Sequence, residues 1–296
     1  MTKRCNSACT AGRKWSLALP RGLQAQIARR HNWDRRTHVR CLLCRTVPAL
    51  PGALHLDRNS SPTLADKLIC VGAVRISIII PVYNEESTIE TLLAALKDYG
   101  ADELLVADGG SEDRTVEIAS RHARIVHAKL GRAIQMNAAA NSASGDVLIF
   151  LHADARLGAT ALGVVREVMA DTAIIGGNFD IRYEGKDWAA AAFTRINRWR
   201  RRCGVFYGDS GIFCRQSVFQ SLGGFVCWPI LEDYEFARRL RRAGRLAYLS
   251  EPIWVSDRRW RNNGLLPTMA SWFIIQSLYY AGVPPKHLAR LYRHIR

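Results

Sequence analysis

An α/β fold, with a mostly parallel central sheet and helices on both faces, is predicted from three observations. Two short runs, the largely β-branched Ile76–Ile80 and the uninterrupted apolar Val147–Leu151, read as strands covered on both faces. Segments with helical spacing separate the apolar runs, so strand and helix alternate through residues 75–155. Polar turns follow the strands at Asn84, Asp108 and Asp154, and in an open sheet such turns meet along the edge where ligands bind.

In chain order, Ile76–Ile80 is a strand that Pro81 ends, and Ser87-Thr88 opens a helix with Ile89, Leu92, Leu93 and Leu96 on one face. Glu103–Ala107 is a second strand running into Asp108-Gly-Gly-Ser-Glu-Asp-Arg-Thr115, whose glycines permit a tight turn before the next helix. Arg124–His127 is a third strand, Gly131-Arg-Ala-Ile-Gln-Met-Asn137 starts an Ala-rich helix, and the Val147 strand follows. Beyond it, residues 172–183 alternate like a strand, and Trp188–Arg202 reads as a helix ending in arginines. Gly208-Asp-Ser-Gly211 turns into another strand, Leu222-Gly-Gly-Phe225 breaks a short helix, and Leu231-Glu-Asp-Tyr234 begins a further one.

The chain has 296 residues, 48% of them hydrophobic and 23% charged, enough for one large α/β domain or two small ones. Its formal net charge of +16 favours an anionic partner: nucleic acid, a phospholipid surface or a phosphorylated substrate. Eight cysteines in this length do not make a disulfide scaffold, and Cys41-Leu-Leu-Cys44 with Cys5 and Cys9 matches no zinc-module spacing. Residues 1–73 are Arg-rich without a sustained period, which predicts a mostly disordered basic extension, or a start assigned too far upstream. No apolar signal core follows Met-Thr-Lys-Arg, so a cytoplasmic location is expected. Neither a GxGxxG dinucleotide loop nor a P-loop occurs, which counts against a dehydrogenase and a P-loop ATPase.

The run Val147–Leu151 stops at His152-Ala-Asp154, so an imidazole and a carboxylate project beyond a strand end. Asp154 there suits Mg²⁺ or Mn²⁺ bridged to phosphates; the alternative is an Asp that caps the next helix. Arg132 and Asn137 sit at a helix start, where an anion also meets the amide dipoles, or else they lie on its solvated surface.

Taken together, Ser77-Ile-Ile-Ile-Pro-Val-Tyr-Asn-Glu85, the Asp108–Thr115 turn, His152-Ala-Asp154 and Glu232-Asp233 resemble the ordered motifs of family 2 glycosyltransferases of the GT-A fold. The resemblance covers about residues 75–262, and within the family it is nearest the small bacterial branch of radical-enzyme-associated and diaponeurosporenoate-type transferases. It implies that Pro81, Tyr83, Asn84 and Glu85 line the nucleobase and ribose pocket, and that Asp108 accepts a hydrogen bond from the base. Arg132 and Asn137 would meet the diphosphate. Asp154 and His152 would hold Mn²⁺ or Mg²⁺, with His152 standing where the family has its first Asp. Asp233 matches the catalytic base of an inverting transfer, supported by Glu232, although read alone it also fits a helix N-cap. Gly208, Asp209 and Ser210, with Arg259 and Trp260, would shape the acceptor site.

The implied reaction moves one sugar from a nucleotide-diphosphate donor, expected to be UDP-linked, to an unknown acceptor that a membrane location would make a lipid. The rivals are a nucleotidyltransferase of related topology, a basic nucleic-acid-binding or membrane-binding protein, and a degenerate transferase that binds donor without chemistry; no specific nucleic acid is expected. Residues 263–296 form a helical tail in which Leu265–Val283 carries no charge and Lys286, Arg290, Arg293 and Arg296 follow. Two readings stay open for it: packing on the catalytic domain, or peripheral contact with an anionic inner membrane leaflet.

Overall fold

The computed structural model describes residues 74–185, 188–256, 261 and 264–295. The basic extension at 1–73, the Cys41–Cys44 pair, Arg259 and Trp260 lie outside the described residues. The first half holds β1 (Ile76–Val82), α1 (Ile89–Asp98), β2 (Glu103–Asp108), α2 (Thr115–Ala119), β3 (Arg124–His127), α3 (Arg132–Ser142) and β4 (Val147–Phe150). After them come β5 (Ala155–Leu157), α4 (Ala161–Met169), β6 (Ile174–Tyr183), α5 (Trp188–Arg202), β7 (Phe213–Arg215) and α6 (Gln216–Ser221). The chain continues through α7 (Glu232–Ala243), β8 (Arg245–Val255), α8 (Leu265–Tyr280) and α9 (Pro285–Ile295).

The strands form one sheet in the order β3-β2-β1-β4-β7-β6-β8-β5. Its β3-β2-β1-β4 half is parallel throughout, as the strand and helix alternation requires. In the other half β6 and β8 run parallel, while β7 is antiparallel to both β4 and β6, and β5 to β8. The parallel half delivers the carboxyl ends of β1, β2 and β4 to one edge, and that edge carries the site.

Side-chain alternation splits the core between the two faces of the sheet. Ile76, Ile78 and Ile80 pack with Leu92, Leu93 and Leu96 of α1 and Leu162 and Val165 of α4. On the opposite face Ile79, Leu105, Leu148 and Phe150 meet Ala133, Met136 and Ala140 of α3, Phe219 of α6 and Phe236 and Leu240 of α7. The small alanines of α3 bring that helix close to the sheet. Phe225 packs at a tilt of 44° against Phe236 with ring centroids 4.5 Å apart and meets Phe150 edge-on at 4.8 Å, giving the site an aromatic floor.

Three local expectations are corrected. Pro81 does not end β1, which runs to Val82. Ile79 already accepts from Leu151 N–H at 3.0 Å on the β4 side, so Pro81, two residues on, faces the same side where β4 has stopped, and its missing N–H costs no ladder bond. Thr88 does not cap α1 through its side chain; its hydroxyl turns back to the Glu85 carboxylate at 3.0 Å. Asp154 does not cap a helix, because a strand, β5, follows it directly.

Candidate active site

Asp233 is the second residue of α7, and its carboxylate is held from both sides. One oxygen accepts the Gly208 N–H at 2.7 Å, and the other accepts the N–H of Tyr234 at 2.7 Å. The helix enters through Leu231, which takes the left-handed conformation at φ 63°, a cost of roughly 1–2 kcal/mol for a residue with a Cβ. That entry swings Glu232 and Asp233 toward the sheet, and both are buried.

Gly208 opens a short 3-10 turn over residues 208–210. A Cβ at this position would lie 2.8 Å from Asp233 Oδ2 and 3.1 Å from His152 Nε2, so glycine is what lets the carboxylate and the imidazole approach the same backbone. Asp209 Oδ1 stands 3.7 Å from His152 Nε2. Asp233, His152 and Gly208 share one pocket with Pro81 and Arg132 over the Phe150 and Phe225 floor. Five residues singled out in the sequence therefore meet at the sheet edge.

Arg132 begins α3 and donates from Nε to Glu232 Oε1 at 2.6 Å. Burial works against its charge, but the Glu232 and Asp233 carboxylates outweigh that and hold the guanidinium firmly protonated. Burial pushes the Glu232 carboxyl up, Arg132 pulls it down, and neighbouring Asp233 pushes it up again, leaving it raised. Its Oε2 is buried and has no hydrogen-bond partner among the described residues.

The neighbouring turns are tied to one another. Asp108 is 3% exposed and accepts from Gly110 N–H at 3.0 Å and Ser111 N–H at 3.1 Å. Burial alone would raise its pKa, yet these bonds with Ser111 and Gly110 prevail and hold it below the usual carboxylate range. Asn84 adopts φ 55°, a conformation Asn tolerates, and its Oδ1 accepts Glu112 N–H at 2.9 Å. Glu85 serves the start of α1, where its carbonyl accepts the N–H of Thr88 and of Ile89 at 3.1 Å. Tyr83 is 44% exposed beside them, not packed in the core.

Two expected contacts give way to structural roles. The Asn137 amide is taken up on both sides by Phe225: Nδ2 donates to Phe225 O at 2.8 Å and Oδ1 accepts Phe225 N–H at 2.9 Å. Ser210 does not face an acceptor: it is 1% exposed, and its hydroxyl donates to the Tyr207 carbonyl.

Sequence reasoning missed Gln135 and Tyr207. Gln135 Nε2 donates to Val82 O at 2.7 Å and Ala107 O at 2.8 Å, pinning the ends of β1 and β2 together beneath α3. Its signal was a lone amide on the buried alanine face of that helix. Tyr207 stacks on Tyr234 with centroids 5.2 Å apart, lies 4.7 Å under Arg200, and donates to Gln276 at 2.6 Å. Burial pushes its phenol up to about 12, and no local pattern marked it.

Residues 77–223 match Glycosyl transferase family 2. The chain belongs to this family. This family 2 glycosyltransferase is 28% identical over 205 residues to the O-antigen chain rhamnosyltransferase RfbN of Salmonella typhimurium, a match covering 61% of this chain and 65% of that one. Its fold is GT-A, shared with S. aureus TarS 1–349 in complex with UDP-GlcNAc at TM-score 0.52 and 17% identity, covering 62% of this chain and 58% of that one. A mannosyltransferase, PcManGT from Pyrobaculum calidifontis, in complex with GDP-Man and Mn²⁺, shares the fold at TM-score 0.50 and 18% identity, covering 62% and 57%. The chain thus spans less than two thirds of the length of each of these relatives.

The family 2 site fits a divalent cation that arrives with a diphosphate. Around Gly208 it offers an imidazole nitrogen and carboxylate oxygens, with Asp154 at the corner of the turn that Ala155 N–H closes onto His152 O at 3.1 Å. Among the described residues no three His, Cys, Asp or Glu side chains close around one point as a standing cage would need. Mg²⁺ and Mn²⁺ in phosphate chemistry are commonly held by one or two carboxylates and completed by the substrate's own oxygens.

Proposed function

We propose that this protein transfers a single sugar from a nucleotide-diphosphate donor to an acceptor hydroxyl with inversion at the anomeric carbon. The observation that carries the reading is the Asp233 carboxylate, fixed by the Gly208 and Tyr234 N–H groups in a pocket bounded by the ends of β1 and β4. In that pocket Asp233 takes the proton of the acceptor hydroxyl as its oxygen bonds to the anomeric carbon. The bond from that carbon to the diphosphate breaks on the opposite face, and the nucleoside diphosphate leaves with the electron pair.

Arg132, charged and paired with Glu232, compensates negative charge gathering on the leaving group. Glu232 orients Arg132 from beneath, through the Nε–Oε1 bond of 2.6 Å. Asp154 and His152 would hold a divalent cation, which when bound neutralises diphosphate charge. An imidazole in place of a carboxylate favours Mn²⁺ over Mg²⁺ there. Tyr83, Asn84 and Asp108 form the nucleoside end, with UDP the first base to test. One protein of the same fold is bound to UDP-GlcNAc and another to GDP-Man, so GDP is tested beside UDP. The acceptor side lies along Gly208 and Asp209, with Arg259 and Trp260, outside the described residues, assigned to it by the family resemblance alone, and a lipid acceptor agrees with a tail in contact with the inner membrane leaflet.

Thermal stabilisation by UDP, GDP and CDP, each with and without Mn²⁺, tests the donor half. A Mn²⁺-dependent shift for one base, lost in Asp154→Ala, is the expected result. No shift with any nucleotide would overturn the transferase reading.

A further inference from the structure

Helix α8 buries two hydroxyls on its inner side and exposes large apolar side chains on its outer side. Thr268 and Ser271 are buried at 4% and 5% exposure, and their hydroxyls donate back into the helix, to Gly264 O and Thr268 O, at 2.8 Å each. Leu266 and Phe273 are 76% and 74% exposed, with Met269 and Ile274 beside them on the outer side. A helix facing water carries the reverse pattern, since its apolar stripe belongs against the core. Packing on the domain and an apolar outer face therefore coexist: Ile275 and Leu278 seat α8 beside Leu231 and Tyr234 of the α7 entry, while Leu266 and Phe273 stay uncovered.

A second helix extends the same character. On α5, Trp188 is 75% exposed and Trp199 65%, with Ile196 between them at helical spacing. Phe193 of α5 meets Trp272 of α8 edge-on at 5.5 Å, so the two helices touch. Charge separates the candidate occupants. Neither α5, α8 nor α9 contains an Asp or Glu, and while Arg198 of α5 is paired with Asp180 at 2.6 Å, Arg195 and Arg202 on α5 and Lys286 and Arg290 on α9 are exposed. Tryptophans and phenylalanine interleaved with unpaired-sign arginine and lysine match the boundary of an anionic bilayer, where indole rings sit at the headgroup level and cations meet lipid phosphate. Among the described residues no helix is long and apolar enough to cross a membrane, so the contact is made at the interface.

We propose that α5 and α8 form a docking face for an anionic lipid bilayer, with Trp188, Trp199, Leu266 and Phe273 entering the headgroup boundary. The face is coupled to the catalytic edge. Gln276 of α8 accepts from Tyr207, Tyr280 shares a short hydroxyl contact with Tyr234, and Arg238 donates to Tyr279 at 3.2 Å. Tyr234 directly follows Asp233, so docking fixes the base relative to the lipid surface. The docking stands without the transferase reading; the further step, that the acceptor is a membrane lipid, rests on it.

The test is flotation of the full chain with phosphatidylcholine vesicles, with and without phosphatidylglycerol, in low and high salt. The comparison protein carries Trp188→Ser, Trp199→Ser, Leu266→Ser and Phe273→Ser, all at surface positions outside the donor site. The wild type is expected to float with the anionic vesicles, and the fourfold variant to float at least about tenfold less, since both its apolar burial and its anchoring rings are gone. A wild type that stays at the bottom overturns the proposal. So does a variant that floats as well as the wild type, which would place the contact elsewhere on the basic chain. So does a wild-type dimer that becomes a monomer in the variant without flotation, which would make the face a contact between copies. Nucleotide-dependent thermal shift, measured on both proteins, separates the two readings: flotation without a shift leaves the docking face and removes the transferase.

Discussion

The Gly208 N–H points at Asp233 Oδ2 from 2.7 Å, and the absent Gly208 side chain leaves the only room in which that carboxylate and the His152 ring can both stand. Gly208→Ala should push both groups aside by tenths of an ångström or more. A displacement on the order of 1 Å at the reacting groups costs about 10²-fold in rate, so kcat should fall by about that factor with nucleotide affinity little changed. Steady-state kinetics beside a nucleotide titration checks the split.

Asp233→Asn keeps an oxygen for the Gly208 N–H but removes the proton acceptor. Turnover should drop by about 10² to 10⁴ while the nucleotide-induced thermal shift persists. Undiminished turnover would remove Asp233 from the reaction.

Arg132 and Glu232 are unequally buried, with side-chain exposures of 40% and 1%. Arg132→Ala strands the buried carboxylate, and a destabilisation on the order of 2–3 kcal/mol is expected, short of the ~3–5 of a fully enclosed pair because solvent screens the guanidinium. Adding Glu232→Gln should recover part of it. Urea unfolding of the single and double variants measures both effects, and equal stability of the two would refute the coupling.

The Asp108 carboxyl is depressed in the folded protein, so it binds fewer protons folded than unfolded at mildly acid pH. Its contribution is present above the ordinary carboxylate range and is lost as pH falls through the depressed value. Unfolding followed across acid pH should show a shallower fall for Asp108→Asn than for the wild type. Parallel curves would show that this carboxylate carries no such contribution.

Gln135 holds the Val82 and Ala107 carbonyls together. Gln135→Leu leaves both without that donor in a buried place, at a cost of about 1–3 kcal/mol. Melting temperature should fall, and nucleotide affinity with it as the β1 and β2 ends loosen. A lower melting point with unchanged affinity would confine the residue to stability.

The sequence by itself determined the strand and helix alternation, the four ordered motifs and the placing of Asp233 near a helix start. These are short-range features: periods of 2 and 3.6, turn residues and contiguous motifs survive in one dimension. Helix α5 was legible to its ends, because the run from Trp188 closes on the basic cluster at Arg200–Arg202. Only the tertiary structure decided which polar groups face the site. Asn137 looked like a diphosphate ligand until Phe225, 88 positions away, occupied its amide. Gly208 and Asp233 became partners across 25 positions, and Ser210 turned inward to the Tyr207 carbonyl. The tail shows the same division. Composition marked α8 as apolar, but whether its serine or its phenylalanine faces the core depends on what packs against it, and that is a property of the whole fold.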